Sequence, residues 1–233
     1  MFVATQDFDQ LPFNLSGLDD LSPGTFDAFV TYHEEEQLRE LLGSLFYDAL
    51  VTGFEGLPAV YQSGLDYAID GLAVYVSDNK ADIYKSLENT NSALPTDATK
   101  WEKQPLNRWA RLVYGDTYLY DDRLKKWYGM NRMVVPLIYS LWTKFTYDNQ
   151  TGSGIVVAAK ENASVISPNK RIIRGWNKFA ELAGSHCEVQ NTLYGFLYYS
   201  EYFNDDVAAS YNDMSSYLSY EFSSPGYMNN FGL

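Results

Sequence analysis

From Asp116 to Trp127 the chain changes its period. The stretch reads DTYLYDDRLKKW, in which Tyr118 and Tyr120 alternate with Thr117 and Leu119 before an Asp121-Asp122-Arg123 turn and a second run to Trp127. Two strand-length runs about a short turn specify a β-hairpin over about residues 116–128. It interrupts segments of helical spacing, and a two-stranded ribbon alone is marginal in water. The aromatic face of Tyr118, Tyr120 and Trp127 therefore has to be covered, and both the chain's own helical body and a neighbouring subunit would serve.

The flanks read as helix. Ser22 suits an N-cap and Pro23 a first helical position. Phe26, Phe29, Val30, His33, Leu38, Leu41, Leu42, Leu45, Phe46 and Ala49 then keep close to helical spacing, predicting one helix that ends near Gly53 or Gly56. Ser167 and Pro168 repeat the start signal before an apolar stripe of Ile172, Ile173, Trp176, Phe179 and Ala183, with a continuation through Leu193, Phe196 and Leu197. Trp101 to Tyr114 reads as helix with Trp109 and Leu112 inward, and Met130 to Tyr147 as another that Pro136 kinks or delays. Leu57 to Val76 is compatible with one or two helices broken near Gly64 and Gly71. Residues 77–100, polar and turn-rich, read as a long loop, and GSGIVVAAKENASVIS as extended. The fold class expected is mainly α: a helical bundle with an inserted hairpin, its body over residues 22–203 and extended arms over 1–21 and 204–233.

Charge is distributed unevenly. The net charge is -13, yet all 17 Lys and Arg lie between Arg39 and Lys178, leaving two ends that carry acids and no bases. Acidic ends keep a chain soluble, and they also complement a basic body on another copy. A primarily nucleic-acid-binding role is disfavoured, since affinity for a phosphate backbone needs a surplus of cations. No apolar run approaches the roughly 18 residues of a membrane span, and MFVATQDFDQ lacks a cationic segment followed by an apolar one, so neither membrane insertion nor a signal peptide is expected. The single Cys187 permits no internal disulfide and fits a reducing cytoplasm.

Signals for chemistry are sparse. His186 and Cys187 are adjacent, and neighbours on a helix point about 100 degrees apart, which suits no base–nucleophile pair. With His33 the only other histidine, neither a catalytic nor a metal site is expected. Glu34, Glu35 and Glu36 fan around a helix, with Arg39 four residues beyond Glu35, and read as a solvated face. TGSGIVV lacks the Gly-Lys-Ser/Thr ending of a phosphate loop and the longer dinucleotide fingerprint. Twenty Tyr and five Trp keep open a carbohydrate-binding role or, with two placed carboxylates, a glycoside hydrolase, although the adjacent Asp121 and Asp122 do not supply such a pair.

One spaced pattern carries a resemblance. Trp109, the Tyr114-Gly115 turn with Tyr118, the Trp127-x-Gly129 step into a Tyr- and Trp-bearing helix, the Thr151-x-x-Gly154 loop and a closing helix with Trp176 occur in order, after a first helix with Leu41-Leu42-Gly43 and Phe46-Tyr47. Over most of Phe26 to Tyr199 the chain resembles the small adaptor or connector proteins in the neck of tailed phages infecting Bacteroidota. It departs from their compact pattern in an expanded segment from Leu57 to Lys100 and in the tail beyond the last helix.

The resemblance implies a mainly helical structural subunit, without catalytic residues or cofactor, that assembles in the host cytoplasm into a ring of the virion neck. Such rings are commonly dodecameric, contact the portal and other neck or tail proteins, and let genomic DNA pass without specific binding. A ring joins two different patches of successive copies. Candidate interface residues are Tyr118, Tyr120 and Trp127 on the hairpin; Lys170, Arg174 and Lys178, spaced by four on one helix face with Arg171 beside them; and Asp205 and Asp206 in the acidic tail.

Overall fold

The computed structural model describes residues 2–9, 12–15, 18, 24–120, 123–151 and 168–183. Helices predominate among them, beside two small antiparallel sheets. Contacts group the described residues into two units, one of residues up to 42 with 131–151 and 168–183, the other of 43–130.

The first unit is helical. Helix α1 (Thr25–Leu42) buries Phe26, Val30, Glu34, Leu38, Leu41 and Leu42, nearly one residue per turn along one side. It starts after Gly24, which has φ 79°, later than the Ser22-Pro23 signal; Ser22 and Pro23 lie outside the described residues. Helix α4 (Met130–Thr151) runs through Pro136 instead of starting after it. Its Trp142 receives Phe26 and Phe29 edge-on, at 4.9 and 4.8 Å between ring centroids. Helix α5 (Pro168–Ala183) begins at the expected proline and buries Phe179, Ala180, Leu182 and Ala183. A Cβ on its Gly175 would lie 2.8 Å from the Pro136 carbonyl oxygen, so α4 and α5 touch backbone to backbone there. The Ser140 hydroxyl locks the crossing by donating to the Ile172 carbonyl at 2.8 Å.

The beginning of the chain is part of this core, where the sequence suggested an arm. A turn of 3₁₀ helix at Thr5–Phe8 puts Phe8 fully inside, edge-on to Phe26 at 5.2 Å, and Phe2 and Val3 are buried as well. Glu34 receives them, accepting the Phe2 N–H on both carboxylate oxygens at 2.9 Å. Of the acidic run read as solvated, Glu34 is thus an interior residue, and burial pushes its carboxyl above the usual range. Glu35 keeps the expected surface pair with Arg39 at 2.9 Å.

The second unit corrects four expectations. The helix predicted to reach Gly56 is broken at Gly43, whose φ of 74° and ψ of 154° lie outside the helical region, so α2 (Ser44–Glu55) is separate and Leu45 is 70% exposed. No helix follows before Arg108: the segment after Gly56 leads into β1 (Leu72–Ser77), and the expected long loop contains β2 (Lys80–Ser86). These strands pair with Ser77 opposite Lys80 about Asp78 and Asn79, both at positive φ (50° and 62°), the conformation that a tight two-residue hairpin needs. From Leu87 to Lys100 the loop is organised by buried Asn91, whose amide donates to the Ser86 hydroxyl and the Lys100 carbonyl. The helix expected from Trp101 begins instead as β3 (Trp101–Lys103). After Pro105, α3 (Arg108–Tyr114) starts where the Asn107 side chain caps the Ala110 N–H at 3.0 Å.

The hairpin expected from sequence is present as β4 (Asp116–Tyr120) and β5 (Arg123–Trp127), paired in register from Asp116 opposite Trp127 to Tyr120 opposite Arg123. GSGIVVAAKENASVIS, the helical continuation past Ala183 and the tail 204–233 lie outside the described residues.

Candidate functional site

The hairpin is seated by its first and last residues. Gly115 takes φ 124°, and a Cβ there would lie 3.1 Å from the Trp127 carbonyl oxygen. The Asn79 amide donates to the carbonyls of Asp116 (3.0 Å) and Trp127 (2.7 Å), and the Thr117 hydroxyl donates to Asp78 O at 3.0 Å. Trp127 is fully buried and its indole N–H donates to Leu112 O at 2.7 Å; Tyr118 is 3% exposed. The cover for these two aromatics is therefore the chain itself, and neither presents a surface to a neighbour. The Tyr120 side chain lies outside the described residues. On the opposite face Leu119 and Leu124 are 62% and 70% exposed and stand directly across the ribbon from one another. This leucine pair was missed because the alternation was read for its aromatics, and the alternate positions were the ones turned to solvent.

Beneath the hairpin lies an ion network. Arg111 on α3 reaches Asp82 Oδ1 with Nη2 at 2.8 Å and stands 3.6 Å by Nη1 from Asp116 Oδ1; Lys103 Nζ meets the other Asp82 oxygen. Burial would raise the Asp82 pKa, but the hydrogen bonds from Lys103 and Arg111 outweigh it and hold the carboxyl below its ordinary value. Both aspartates face one guanidinium, at 2.8 Å for Asp82 and 3.6 Å for Asp116, so the carboxylates of the β2 strand and the hairpin are tied to α3 through Arg111.

Beside the sheet, Tyr61, Tyr67 and Trp101 form an aromatic cluster. Tyr61 and Tyr67 stack on each other at 5.5 Å, Tyr67 meets Trp101 edge-on at 5.2 Å, and Trp101, 2% exposed, donates its N–H to Ala93 O. Among the described residues no three His, Cys, Asp or Glu side chains converge as a metal site. His33 stands 3.4 Å by Nδ1 from Glu36 and against the Phe29 ring, while Cys187 lies outside the described residues.

On α5 the cationic stripe is as the spacing predicts: Lys170, Arg171 and Arg174 are exposed, and Lys178 is partly exposed with a 2.9 Å pair to Glu181. Arg174, Asn177, Lys178 and Glu181 form one wall of a surface groove of about 340 Å³, and Pro12 and Phe13 form the other. Phe13 is fixed there edge-on to Tyr139 at 5.4 Å. Asp205 and Asp206 lie outside the described residues. No helix among the described residues is long and apolar enough to cross a membrane. No family model, curated protein or solved structure matches the chain.

Proposed function

We propose that the chain is a structural virion protein: a head–tail adaptor or connector that forms a ring, of the dodecameric kind common in the family it resembles, between portal and tail. In this reading the helical body carries residues 204–233 as an arm, the ring assembles in the bacterial cytoplasm, and genomic DNA passes without specific binding. The observation that carries the proposal is the two-sidedness of the hairpin. One face is locked into the subunit through Trp127, while the other sets Leu119 and Leu124 in solvent as a rigid apolar pair. Exposed apolar side chains grouped on a fixed element mark a surface made to be covered. Val60, Leu65, Ile69, Leu72, Leu87 and Leu94 extend the same character over the expanded segment of this unit, each at least 40% exposed. The pattern behind the resemblance has structural work here as well, since Gly115 and Gly129 both take positive φ at the ends of the hairpin.

Mass measurement of the purified full-length chain across concentration, with a search for it in purified virions, tests the proposal. Closed multimers of one size and presence in the particle are expected. A chain that stays monomeric at all concentrations and is absent from virions would overturn it.

A further inference from the structure

We infer that the groove between the Pro12-Phe13 segment and α5 is the receiving site for an acidic, tyrosine-bearing segment, the stretch Asn204–Glu221 of a second copy of this chain. The inference rests on the ring reading and names the contact through which successive copies join.

The groove combines two chemistries. Arg174 and Lys178 supply positive charge on one wall, and Pro12 with the anchored Phe13 ring supplies an apolar one. A ligand that satisfies both carries carboxylates and aromatic rings within a few residues of each other. NDDVAASYNDMSSYLSYE is of that kind: Asp205, Asp206, Asp213 and Glu221 are interleaved with Tyr211, Tyr217 and Tyr220, and the stretch contains no Lys or Arg. The polarity is consistent along the helix, for Lys170 and Arg171 extend the positive surface beyond the groove.

Among the described residues Glu181 is the one carboxylate on the lining, and it would repel such a segment. Its partner Lys178 holds it only by a surface pair, with the two side chains 41% and 51% exposed, and pairs of this kind are worth about 0–1 kcal/mol. An incoming carboxylate that meets Arg174 as well can therefore compete for Lys178. A donor segment and a different receiving patch on the same chain are the two halves of a head-to-tail contact, which closes into a ring when each copy gives one and takes one.

Zero-length carbodiimide coupling on an equimolar mixture of unlabelled and ¹⁵N-labelled full-length chains, co-assembled and digested, tests the contact. The expected result joins Lys178 or Lys170 to an acid within Asn204–Glu221, with mixed-label pairs as abundant as same-label pairs. Links found only within one label show that each chain fills its own groove and overturn the inference. Multimers of defined mass that give no such link overturn it while leaving the ring reading standing, whereas a monomer at every concentration removes both. In parallel, Arg174→Glu with Lys178→Glu should weaken assembly at least about tenfold, and adding Asp205→Lys with Asp206→Lys should recover part of it. Should the double reversal unfold the chain, Arg174→Ala provides the same reading more gently. Undiminished assembly of a folded variant counts against the groove.

Discussion

Asp82 shows most directly how one residue supports the hairpin's platform, because it faces both Arg111 and Lys103 from the middle of β2. Its carboxyl is held below the ordinary aspartate value, so it contributes stability that is complete above the unfolded-state pKa of about 3.9 and is lost as pH falls through the lower folded value. The wild-type melting temperature should accordingly drop on acidification through that window. Asp82→Asn should be destabilised by about 3 kcal/mol at neutral pH, the lower end for one partner removed from a buried pair, because Asp116 still neighbours Arg111 and Lys103 is half-exposed. Its acid limb should be flatter than that of wild type, and thermal melts from pH 7 to pH 2 would read both effects. An unchanged acid limb would mean that the stability lost in acid comes from other carboxylates. Glu34 works in the opposite sense, since a carboxyl whose folded pKa is raised favours the fold more as pH falls.

In the proposed ring the hairpin would divide folding from assembly between its two faces, with Trp127 buried on one and Leu119 and Leu124 exposed on the other. Trp127→Ser removes a fully buried indole and leaves the Leu112 carbonyl without its donor, so the subunit itself should lose about 3–5 kcal/mol. Leu119→Ser with Leu124→Ser should leave the melting temperature of the dissociated subunit nearly unchanged and reduce assembly measured by sedimentation; a fall in subunit stability as large as that of Trp127→Ser would place the leucines in the core instead. The α4–α5 crossing offers a second test. Gly175→Ala would drive a methyl against the Pro136 carbonyl and the Ser140 and Tyr139 side chains, and should cost about 1–3 kcal/mol by forcing the helices apart. Calorimetry of the variant would check it, and a neutral result would mean that the crossing yields at little cost. These elements also mark what the sequence made legible. The hairpin and α5 could be read because turn and proline signals agreed with the period, and α4 because its helical period persists through Pro136. The break at Gly43 was hidden by an apolar rhythm that continues from α1 into α2, each of which buries its own face. Strands β1 and β2 were hidden because Asp78-Asn79 reads as generic loop polarity until its two positive φ angles are seen. Of the candidate site, the spacing of Lys170, Arg174 and Lys178 gave the stripe. Its groove depends on Pro12 and Phe13, more than 150 residues away in sequence, which no local pattern could supply.

For the whole molecule, the separation of charge along the chain and the apolar pair on the hairpin predict two contacts that answer differently to salt. In the proposed ring, contacts between the acidic segment Asn204–Glu221 and the basic face of α5 would be screened within about 10 Å at 0.1 M ionic strength. A contact made by the exposed Leu119 and Leu124 would be insensitive to screening and strengthened by sulfate, which is excluded from protein surface. Sodium chloride should therefore reduce the assembled fraction steadily from low salt to a residual plateau, and ammonium sulfate at high concentration should restore association. The Leu119→Ser, Leu124→Ser chain should keep the chloride-sensitive part and lose both the plateau and the sulfate recovery. The Arg174→Glu, Lys178→Glu chain should show the reverse, a weaker assembly with little dependence on chloride. Light scattering on the three proteins across both salts separates these outcomes. Identical salt profiles for all three would mean that neither surface joins the copies, and the contacts would then have to be sought elsewhere, first among the exposed apolar side chains of residues 60–94.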